Sequence, residues 1–250
     1  MSDFEGMRKA GKLAAEVLDM IGEHIKTGVT TAYLDQLCHK YILDHKAIPA
    51  CVGYKGYAHS TCISVNHVVC HGIPSNKQLI DGDILNIDVT VIVDGYHGDT
   101  SRMYYCGKPK VKADLLTQNT FQAMWAGIKE VKPGATFGDV GAAIMDVAIP
   151  AGFSIVEDFC GHGIGKVFHD TPSVLHFGER GQGPKMEVGM FFTIEPMINA
   201  GRPDTKVLSD GWTAVTRDKS LTAQFEHTMG VTEDGVEIFT LSRNGTDTPF

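Results

Sequence analysis

Four acidic residues are placed so that they could share metal ions. Asp88 and Glu195 each lie in an apolar run, at matching points of two similar segments. Asp99 belongs to the strand expected to pair with that of Asp88, and Glu226 to the strand expected to pair with that of Glu195. Four carboxylates in one place would repel one another and take up protons, whereas two divalent cations would balance −4 with +4. For an acid taken alone, an exposed sheet edge or a capping role is the alternative.

One histidine could join these acids. His162 stands between two glycines, and glycine allows the backbone to approach a neighbouring strand closely. Carboxylates with a single imidazole suit Mn, Fe(II), Co or Zn more than a purely structural zinc site. Two such ions can hold a hydroxide at neutral pH and polarise a carbonyl group, which is the chemistry of hydrolysis. A glycine turn with a surface histidine is the alternative.

The same glycine-rich segment does not fit a phosphate-binding loop. That motif requires glycine at position 160 and serine or threonine at position 167. This chain has Cys160 and Val167 there. Motifs of other hydrolases and of dinucleotide-binding enzymes (H-E-x-x-H, G-x-S-x-G, G-x-G-x-x-G) are also missing from the sequence.

The composition indicates a chain that can bury a sizeable core. Of 250 residues, 43% are hydrophobic and 21% are charged, and the net charge is −8. Without a long basic run, this charge argues against specific binding of nucleic acid or of anionic membranes. No signal-peptide core or membrane segment is expected, because polar residues interrupt the most apolar stretch, Ile84–Val93. The six cysteines form no C-x-x-C pair, so we expect reduced thiols and a cytoplasmic protein.

The spacing of apolar residues predicts two pairs of helices. A capping box of Ser2 and Glu5 would begin the first helix. The second helix would begin at about Thr31. Two more helices would span Leu116–Val131 and Val140–Val147.

Strands are predicted after each pair of helices. The runs typical of strands are Thr61–Asn66, Ile84–Val93, Thr100–Cys106, Phe191–Asn199 and Thr222–Thr232. Asp94-Gly95 predicts a hairpin turn between the second and third of these. This turn would pair Asp88 with Ser101 and place Asp99 diagonally from Asp88 on the same face.

Two short similarities indicate a duplicated unit. Residues 25–30 resemble residues 131–136, and residues 82–88 resemble residues 189–195, at offsets of 106 and 107. Chance similarity is the alternative to a repeated helix–helix–strand unit.

The duplication implies an α+β fold with central antiparallel sheets and helices outside. We expect a single catalytic domain, residues 1–250, made of two related halves at about 1–108 and 109–250. No linker-like segment separates these halves, so they are expected to share one core.

Five segments that contain the candidate residues resemble type I methionine aminopeptidases. They are Asn86-Ile87-Asp88-Val89-Thr90, Gly95-Tyr96-His97-Gly98-Asp99-Thr100-Ser101, Cys160-Gly161-His162-Gly163-Ile164-Gly165, Phe192-Thr193-Ile194-Glu195-Pro196-Met197 and Gln224-Phe225-Glu226-His227-Thr228. The resemblance runs from about Gly6 to Thr240. It implies the pseudo-two-fold pita-bread fold and the removal of the initiator methionine from nascent chains whose second residue is small. We expect the bacterial-type form, because the chain has no zinc-finger extension and no long insertion typical of type II.

The resemblance also implies roles for individual residues. It assigns Asp88, Asp99, His162, Glu195 and Glu226 as ligands of two divalent metal ions (Fe(II), Mn, Co or Zn). Asp99 and Glu226 would bridge the two ions, which would hold the attacking hydroxide between them. Glu195 would also carry a proton from the bridging water to the leaving amine.

Two further histidines acquire roles in the same way. His71 would reach the scissile amide, and His169 would donate a hydrogen bond to the carbonyl oxygen that becomes negatively charged. Without the resemblance, a lone histidine is more often structural. The remaining histidines are expected to be structural or to lie on the surface.

A pocket for the methionine side chain is implied as well. The substrate-binding residues carried over from the family are Cys51, Tyr54, Tyr57, Cys62, His71, Phe168, His169 and Trp212. Taken alone, residues 52–57 would be a loop with two packing tyrosines. Val167 stands where the family commonly has a small residue and is expected to narrow the rim of the pocket.

Further ligands and partners are expected from the resemblance and from charge. The carbonyl groups of Asn86 and Val89 and the side chain of Thr222 would bind a monovalent cation, Na⁺ or K⁺. The main partners would be the N-termini of nascent polypeptides, and the chain is expected to be a monomer. Weak contact with the ribosome is expected from four basic residues on one exposed loop, Arg202, Lys206, Arg217 and Lys219.

Two alternative functions are considered. A proline-specific aminopeptidase or prolidase of the same fold usually carries an extra N-terminal domain, for which 250 residues leave no room. A non-catalytic peptide-binding protein of this fold loses metal ligands, whereas all five are present here.

Overall fold

The computed structural model describes residues 3–247, and this part of the chain contains four α-helices. They are α1 (Phe4–Gly22), α2 (Thr31–Asp44), α3 (Val111–Lys129) and α4 (Phe137–Ala148). Two pairs of helices were predicted, and they are confirmed. The predicted capping box is wrong: Ser2 lies outside the described residues, and Asp3 caps α1 by accepting a 3.1 Å hydrogen bond from the Gly6 N–H.

The helices are held by apolar faces and by their caps. In α1, Leu18 and Ile21 are completely buried, and burial of such a side chain contributes roughly 1.5–3 kcal/mol. At the start of α4, the Thr136 N–H donates a hydrogen bond of 2.7 Å to the Asp139 carboxylate, which also lies favourably at the positive end of the helix.

The first part of the chain contains five strands, and all but the third of them form one sheet that packs against α1 and α2. The five strands are β1 (Ile48–Pro49), β2 (Thr61–Val65), β3 (Val68–Cys70), β4 (Ile84–Val93) and β5 (Tyr96–Tyr105). β4 pairs antiparallel with β1, β2 and β5, so it is the central strand of this sheet.

The hairpin between β4 and β5 confirms the predicted turn and register. Asp94 and Gly95 both have positive φ, +51° and +82°, as the tight turn preferred in hairpins requires. Asp88 is paired with Ser101, and Asp99 is paired with Thr90. Asp88 and Asp99 therefore lie diagonally across two neighbouring strands.

Strands of the second part of the chain form two further sheets, and two of them form a third sheet together with β3. The strands of this part are β6 (Ser154–Ile155), β7 (Gly161–Gly163), β8 (Asp170–Val174), β9 (Phe191–Ile194), β10 (Met197–Asn199), β11 (Thr205–Val207), β12 (Ala214–Thr216), β13 (Thr222–Gln224), β14 (His227–Val231) and β15 (Val236–Ile238). The strand orders are β15-β14-β9-β7-β8, β13-β10-β6 and β11-β12-β3.

The two acids of this second part stand between strands, not inside them as predicted. One break falls at Glu195-Pro196, between β9 and β10, where proline cannot donate to the sheet. The other falls at Phe225-Glu226, between β13 and β14. Because β9 pairs with β14 while β10 pairs with β13, both acids lie where the chain passes from one sheet to the next. The predicted pairing of these two runs is confirmed.

The two parts of the chain join at the middle of β5. The Glu226 N–H donates to the Ser101 carbonyl oxygen at 3.0 Å, and the Thr100 hydroxyl donates to the Glu226 carbonyl oxygen at 2.7 Å. Thr228 adds a hydrogen bond of 2.6 Å from its hydroxyl to the Asp99 carbonyl oxygen. This seam holds the acids of both parts beside one another. Within residues 3–247, no helix combines the length and apolar character needed to cross a membrane.

Candidate active site

One cavity of about 350 Å³ gathers every residue predicted to bind divalent metal or substrate. These residues are Cys51, Tyr54, Tyr57, Cys62, His71, Asp88, Asp99, His162, Phe168, His169, Glu195, Trp212 and Glu226. A larger cavity of about 1010 Å³ lies between α1, β5 and α3 and is lined by none of them. The smaller cavity is therefore the candidate active site, because its lining carries the reactive groups.

The groups predicted to bind metal are close together and largely buried. Asp99 is 4% exposed and Glu226 is 2% exposed. Nε2 of His162 lies 3.6 Å from Oδ2 of Asp99 and 3.6 Å from Oε1 of Glu195. Ligand atoms of Asp99, His162 and Glu226 all lie within 4.8 Å of one another. Such separations suit donors around a shared cation, since atoms about 2.1 Å from one ion are roughly 3–4 Å apart.

Neighbouring polar groups fix the direction of the acids. The Thr90 hydroxyl donates to Oδ1 of Asp99 at 2.7 Å. The Thr193 hydroxyl donates to Oε1 of Glu195 at 2.8 Å, and Nε2 of Gln224 lies 3.4 Å from the other oxygen, Oε2. Such outer hydrogen bonds hold metal-ligating side chains in one orientation.

Close strand packing explains the glycines on either side of His162. A Cβ atom at Gly161 would lie 2.4 Å from the Thr193 carbonyl oxygen, and one at Gly163 would lie 2.1 Å from the Thr171 carbonyl oxygen. Only glycine fits at both positions. His162 lies on strand β7 with 11% of its side chain exposed, so the alternative of a surface histidine on a glycine turn is wrong.

The buried acids raise one another's pKa. Burial raises the pKa of Asp88 well above its usual range, and the charges of Asp99 and Glu195 raise it further. Burial and the same two neighbours also raise the pKa of Glu226. The pKa of Glu195 is raised to about 7, by burial against the opposing effect of His162.

The pKa of the single imidazole in this cluster is raised as well. Burial disfavours the charged form of His162, but Asp99 and Glu195 outweigh it and raise the pKa to about 9. One imidazolium cannot neutralise four carboxylates. The oxygen-rich donor set and its unbalanced charge therefore fit two divalent cations.

An apolar pocket adjoins the acids. Cys51, Tyr57 and Cys62 are buried together, and Phe168 and Trp212 pack against them. The rings of Tyr57 and Trp212 meet edge to face at 5.0 Å. Burial raises the pKa of both thiols, so they are neutral walls of the pocket. Aromatic rings and sulfur atoms suit an unbranched thioether side chain.

His71 lies beside this pocket in a strained conformation. Its φ is +54°, a value that residues with a side chain rarely adopt and that is often found at functional sites. Its ring meets those of Phe159 and Trp212 edge to face, at 5.5 Å and 6.1 Å. Burial lowers the pKa of His71, so the ring is neutral at pH 7.

His169 lies between the acids and the pocket. Its ring is 4.2 Å from that of His162 and 4.1 Å from that of Phe168, and it stacks on Tyr54 at 5.2 Å. Loss of solvent and the charge of His162 lower the pKa of His169 to about 4. A neutral imidazole at this place can donate one hydrogen bond without adding charge.

The residues predicted to bind a monovalent cation lie outside the cavity. Asn86, Val89 and Thr222 are all buried. The Thr222 hydroxyl donates to the Ile198 carbonyl oxygen at 3.2 Å. Oδ1 of Asn86 has no hydrogen-bond partner among the described residues.

Sequence reasoning missed several residues of the site. The cavity is also lined by Lys55, Thr90, Asp158, Phe159, Cys160 and Met197. His176, which is completely buried, accepts a hydrogen bond of 3.0 Å from the Glu195 N–H through Nε2. His97 contacts the loop that carries Phe168 and His169, and its position two residues before Asp99 is a signal that could have identified it.

Residues 5–233 match the model of Metallopeptidase family M24, and the chain belongs to this family. It is 59% identical over 249 residues to the methionine aminopeptidase of Rickettsia prowazekii (strain Madrid E), which covers 99% of this chain and 96% of that protein. It is 50% identical over 246 residues to the methionine aminopeptidase of Escherichia coli (strain K12), which covers 98% and 93%. The crystal structure of methionine aminopeptidase from Rickettsia prowazekii matches with a TM-score of 0.95 and 60% identity, over 96% of this chain and 97% of that chain.

These similarities confirm the pita-bread α+β fold and the resemblance inferred from the five segments. The similarities extend over nearly the whole length of this chain and of the two methionine aminopeptidases. Neither alternative function, a proline-specific peptidase or a non-catalytic binding protein, is favoured by them.

Proposed function

We propose that this chain removes the N-terminal methionine from nascent proteins and peptides whose second residue is small. The observation that carries the proposal is the meeting of two surfaces in one cavity. Buried acids form one wall, an apolar pocket of rings and thiols forms another, and His169 lies between them. Similarity to methionine aminopeptidases over the full chain supports the same activity.

Five side chains would hold two divalent cations. Asp88, Asp99, His162, Glu195 and Glu226 supply the donor atoms, and Asp99 and Glu226 would lie between the two ions. When bound, the cations supply a hydroxide at neutral pH and polarise the substrate carbonyl group. Mn, Fe(II), Co and Zn all suit this donor set.

Glu195 would move the proton during hydrolysis. Its carboxylate accepts a proton from the attacking water and delivers it to the amine that leaves. Thr193 and Gln224 contact its two oxygens, so the carboxylate stays directed into the cavity.

Two neutral histidines would contact the scissile amide. His169 donates to the carbonyl oxygen as negative charge develops there, an effect worth about 3 kcal/mol for one donor. His71, which also lines the cavity, would contact the amide nitrogen. Neither ring needs to lose a proton to water before it acts, because both are neutral at pH 7.

The shape of the cavity would set the substrate. The methionine side chain fills the pocket of Cys51, Tyr57, Cys62, Phe168 and Trp212. The second residue of the substrate must then pass the rim, beside the His169 loop. A packed rim accepts little added volume, so a small second residue is preferred.

A panel of three peptides tests this function. Protein reconstituted with Mn²⁺ is incubated with Met-Ala-Ser, Ala-Ala-Ser and Ala-Pro-Ser, and the released amino acid is identified. We expect methionine from the first peptide and little release from the other two. Faster hydrolysis of Ala-Pro-Ser would support a proline-specific aminopeptidase, and no hydrolysis of any peptide would support a binding protein.

Three further assignments belong to the same proposal. The chain would act in the cytoplasm, where all six of its cysteines persist as free thiols, and it would act as a monomer. A monovalent cation, Na⁺ or K⁺, would bind carbonyl oxygens of Asn86 and Val89 with the Thr222 hydroxyl. Exchange of the salt cation, followed by thermal unfolding, tests this site: equal stability in Na⁺, K⁺ and tetramethylammonium would contradict it.

Weak contact with the ribosome is proposed for the hairpin of β11 and β12. Its basic residues are Arg202, Lys206, Arg217 and Lys219. All four are exposed. Nearby acids reduce the net positive charge of this surface, and one of them, Asp218, is held beside Arg202 by a hydrogen bond of 2.7 Å from the Arg202 backbone N–H. Co-sedimentation with ribosomes should weaken with salt and after neutralising all four residues. Unchanged sedimentation of that variant would contradict the contact.

A further inference from the structure

The loop that carries Phe168 and His169 contacts residues of the first part of the chain as well as His162. Residues 165–169, called here the 165–169 loop, connect β7 to β8. The outer side of this loop faces solvent, and Val167 is 55% exposed. Its inner side rests on residues of the first part of the chain. On that side, the Lys166 ammonium lies 5.1 Å from the Tyr96 ring, and Phe168 meets Tyr54 at 4.9 Å.

His97 contacts this loop through its backbone and through its ring. Its backbone N–H donates to the Gly165 carbonyl oxygen at 2.8 Å, and its ring Nδ1 lies 2.9 Å from the same oxygen. Because a carbonyl oxygen can only accept, Nδ1 of His97 carries the proton. The same ring stacks on Phe168 at 5.4 Å with an angle of 18° between the planes. His97 thus contacts the loop at its first residue and again beside the pocket.

The contact joins the two halves of the site. His97 is the second residue of β5 and is 9% exposed, so its position is fixed by the β4–β5 hairpin that also places Asp99. The 165–169 loop follows directly after the strand of His162. A displacement of about 1 Å in a group that contacts the reacting atoms can reduce the rate by about 10²-fold.

We propose that His97 is a positioning residue that fixes the 165–169 loop, and thereby sets His169 at the substrate carbonyl oxygen and Phe168 in the methionine pocket. The inference rests on the role of His169 in the proposed function. It assigns His97 no contact with substrate or with metal.

Two substitutions separate the two contacts of the ring. His97→Phe keeps an aromatic ring on Phe168 but removes the Nδ1–H donor to the Gly165 carbonyl oxygen, to which the backbone N–H of residue 97 still donates. His97→Asn keeps a donor near the position of Nδ1 but removes the stacked ring. We expect His97→Phe to lower kcat on Met-Ala-Ser about tenfold with little change in KM. We expect His97→Asn chiefly to raise KM, several-fold, because the wall of the methionine pocket loses its support.

The chain offers a matched control at His45. There, ring Nδ1 donates to the Tyr41 carbonyl oxygen at 2.8 Å, and the ring stacks on Tyr41 at 4.2 Å. His45 is exposed after the end of α2 and does not line the cavity. His45→Phe should leave kcat and KM within about twofold of the unmodified protein.

A double-mutant cycle with His169→Ala decides between positioning and a general structural role. Metal content and kcat are measured for both His97 variants, each with His169 intact and with His169→Ala. We expect His97→Phe to lower kcat when His169 is present and to have less than a twofold effect when it is replaced. An equal fall in both backgrounds, or unchanged kinetics in both His97 variants, would overturn the inference. A normal kcat in His169→Ala alone would instead contradict the role of His169 in the proposed function.

Discussion

The Thr193 hydroxyl donates a hydrogen bond of 2.8 Å to Oε1 of Glu195, two residues further along the chain. Thr193 lies in β9 and Glu195 follows directly after the end of that strand, so the hydrogen bond fixes the carboxylate where the chain leaves the sheet. The same hydroxyl oxygen accepts a hydrogen bond of 3.1 Å from the His162 N–H. Thr193 is completely buried, and it therefore connects the backbone of one proposed metal ligand to the carboxylate of another.

Replacing Thr193 with valine should slow turnover. Thr193→Val keeps the branched shape and removes both hydrogen bonds. We expect kcat on Met-Ala-Ser to fall about tenfold with KM nearly constant, because the proton-carrying carboxylate loses its orientation. Thr120→Val is the control: that hydroxyl is equally buried but donates to the Leu116 carbonyl oxygen inside α3. Equal kcat values for the two variants would contradict this role of Thr193.

The β4–β5 hairpin was predictable because its determinants are local. Asp94-Gly95 supplies the two positive φ values of the turn. The turn then fixes which residues of the two strands are paired, and side chains alternate between the two faces of the sheet. The diagonal arrangement of Asp88 and Asp99 followed from the turn and the register. The two pairs of helices were also predictable, because helices of this kind are indicated by the local spacing of apolar residues.

Other parts of the site depend on distant contacts and could not be predicted from spacing. Pro196 signals the break after Glu195, but the break at Glu226 arises where its N–H turns to the Ser101 carbonyl oxygen in the other half. His176 is 19 residues from Glu195 and reaches its N–H only because β8 and the segment after it fold back beside β9. A resemblance to known proteins could indicate which residues meet, but not these hydrogen bonds.

Removing the His169 ring should slow the chemical step and leave binding nearly intact. We expect His169→Ala to lower kcat about 10²–10³-fold, the cost of one donor to a developing oxyanion, with metal content unchanged. Steady-state kinetics on Met-Ala-Ser and metal analysis measure the two quantities. His45→Ala, at an exposed histidine outside the cavity, controls for loss of an imidazole. A change confined to KM would mean that His169 only binds substrate.

The rim of the pocket should determine which second residues are accepted. Val167 is 55% exposed and directly precedes Phe168, which lines the cavity, and we propose that a bulky second residue of the substrate would meet it. We expect kcat/KM to decrease from Met-Ala and Met-Ser peptides through Met-Val to Met-Leu. Val167→Gly should reduce the difference between Met-Ala and Met-Leu. Equal rates on these two peptides would contradict a selective rim, and an unchanged profile in Val167→Gly would exclude Val167 from it.

His176 should make the fold less stable in mild acid. Burial lowers its pKa to about 3, whereas a histidine in the unfolded chain titrates near 6.5. Between these values the unfolded state binds the additional proton, so the free energy of unfolding falls as pH decreases below about 6.5.

Urea unfolding of metal-free protein at pH 7.5 and pH 5.5 measures this effect. His176→Gln can still accept from the Glu195 N–H but does not titrate. We expect the unmodified protein to lose about 1.4 kcal/mol more than this variant between the two pH values. Equal losses would mean that His176 is protonated in the folded protein.

The most direct test of the dinuclear site measures metal content and methionine release together in Asp99→Ala and Glu226→Ala. Each of these carboxylates is proposed to lie between the two cations, so its loss should remove turnover and lower the bound metal per chain. Asp44→Ala, at an exposed acid on α2, should keep both values. Normal release of methionine from Met-Ala-Ser with full metal content in either cavity variant would contradict the account.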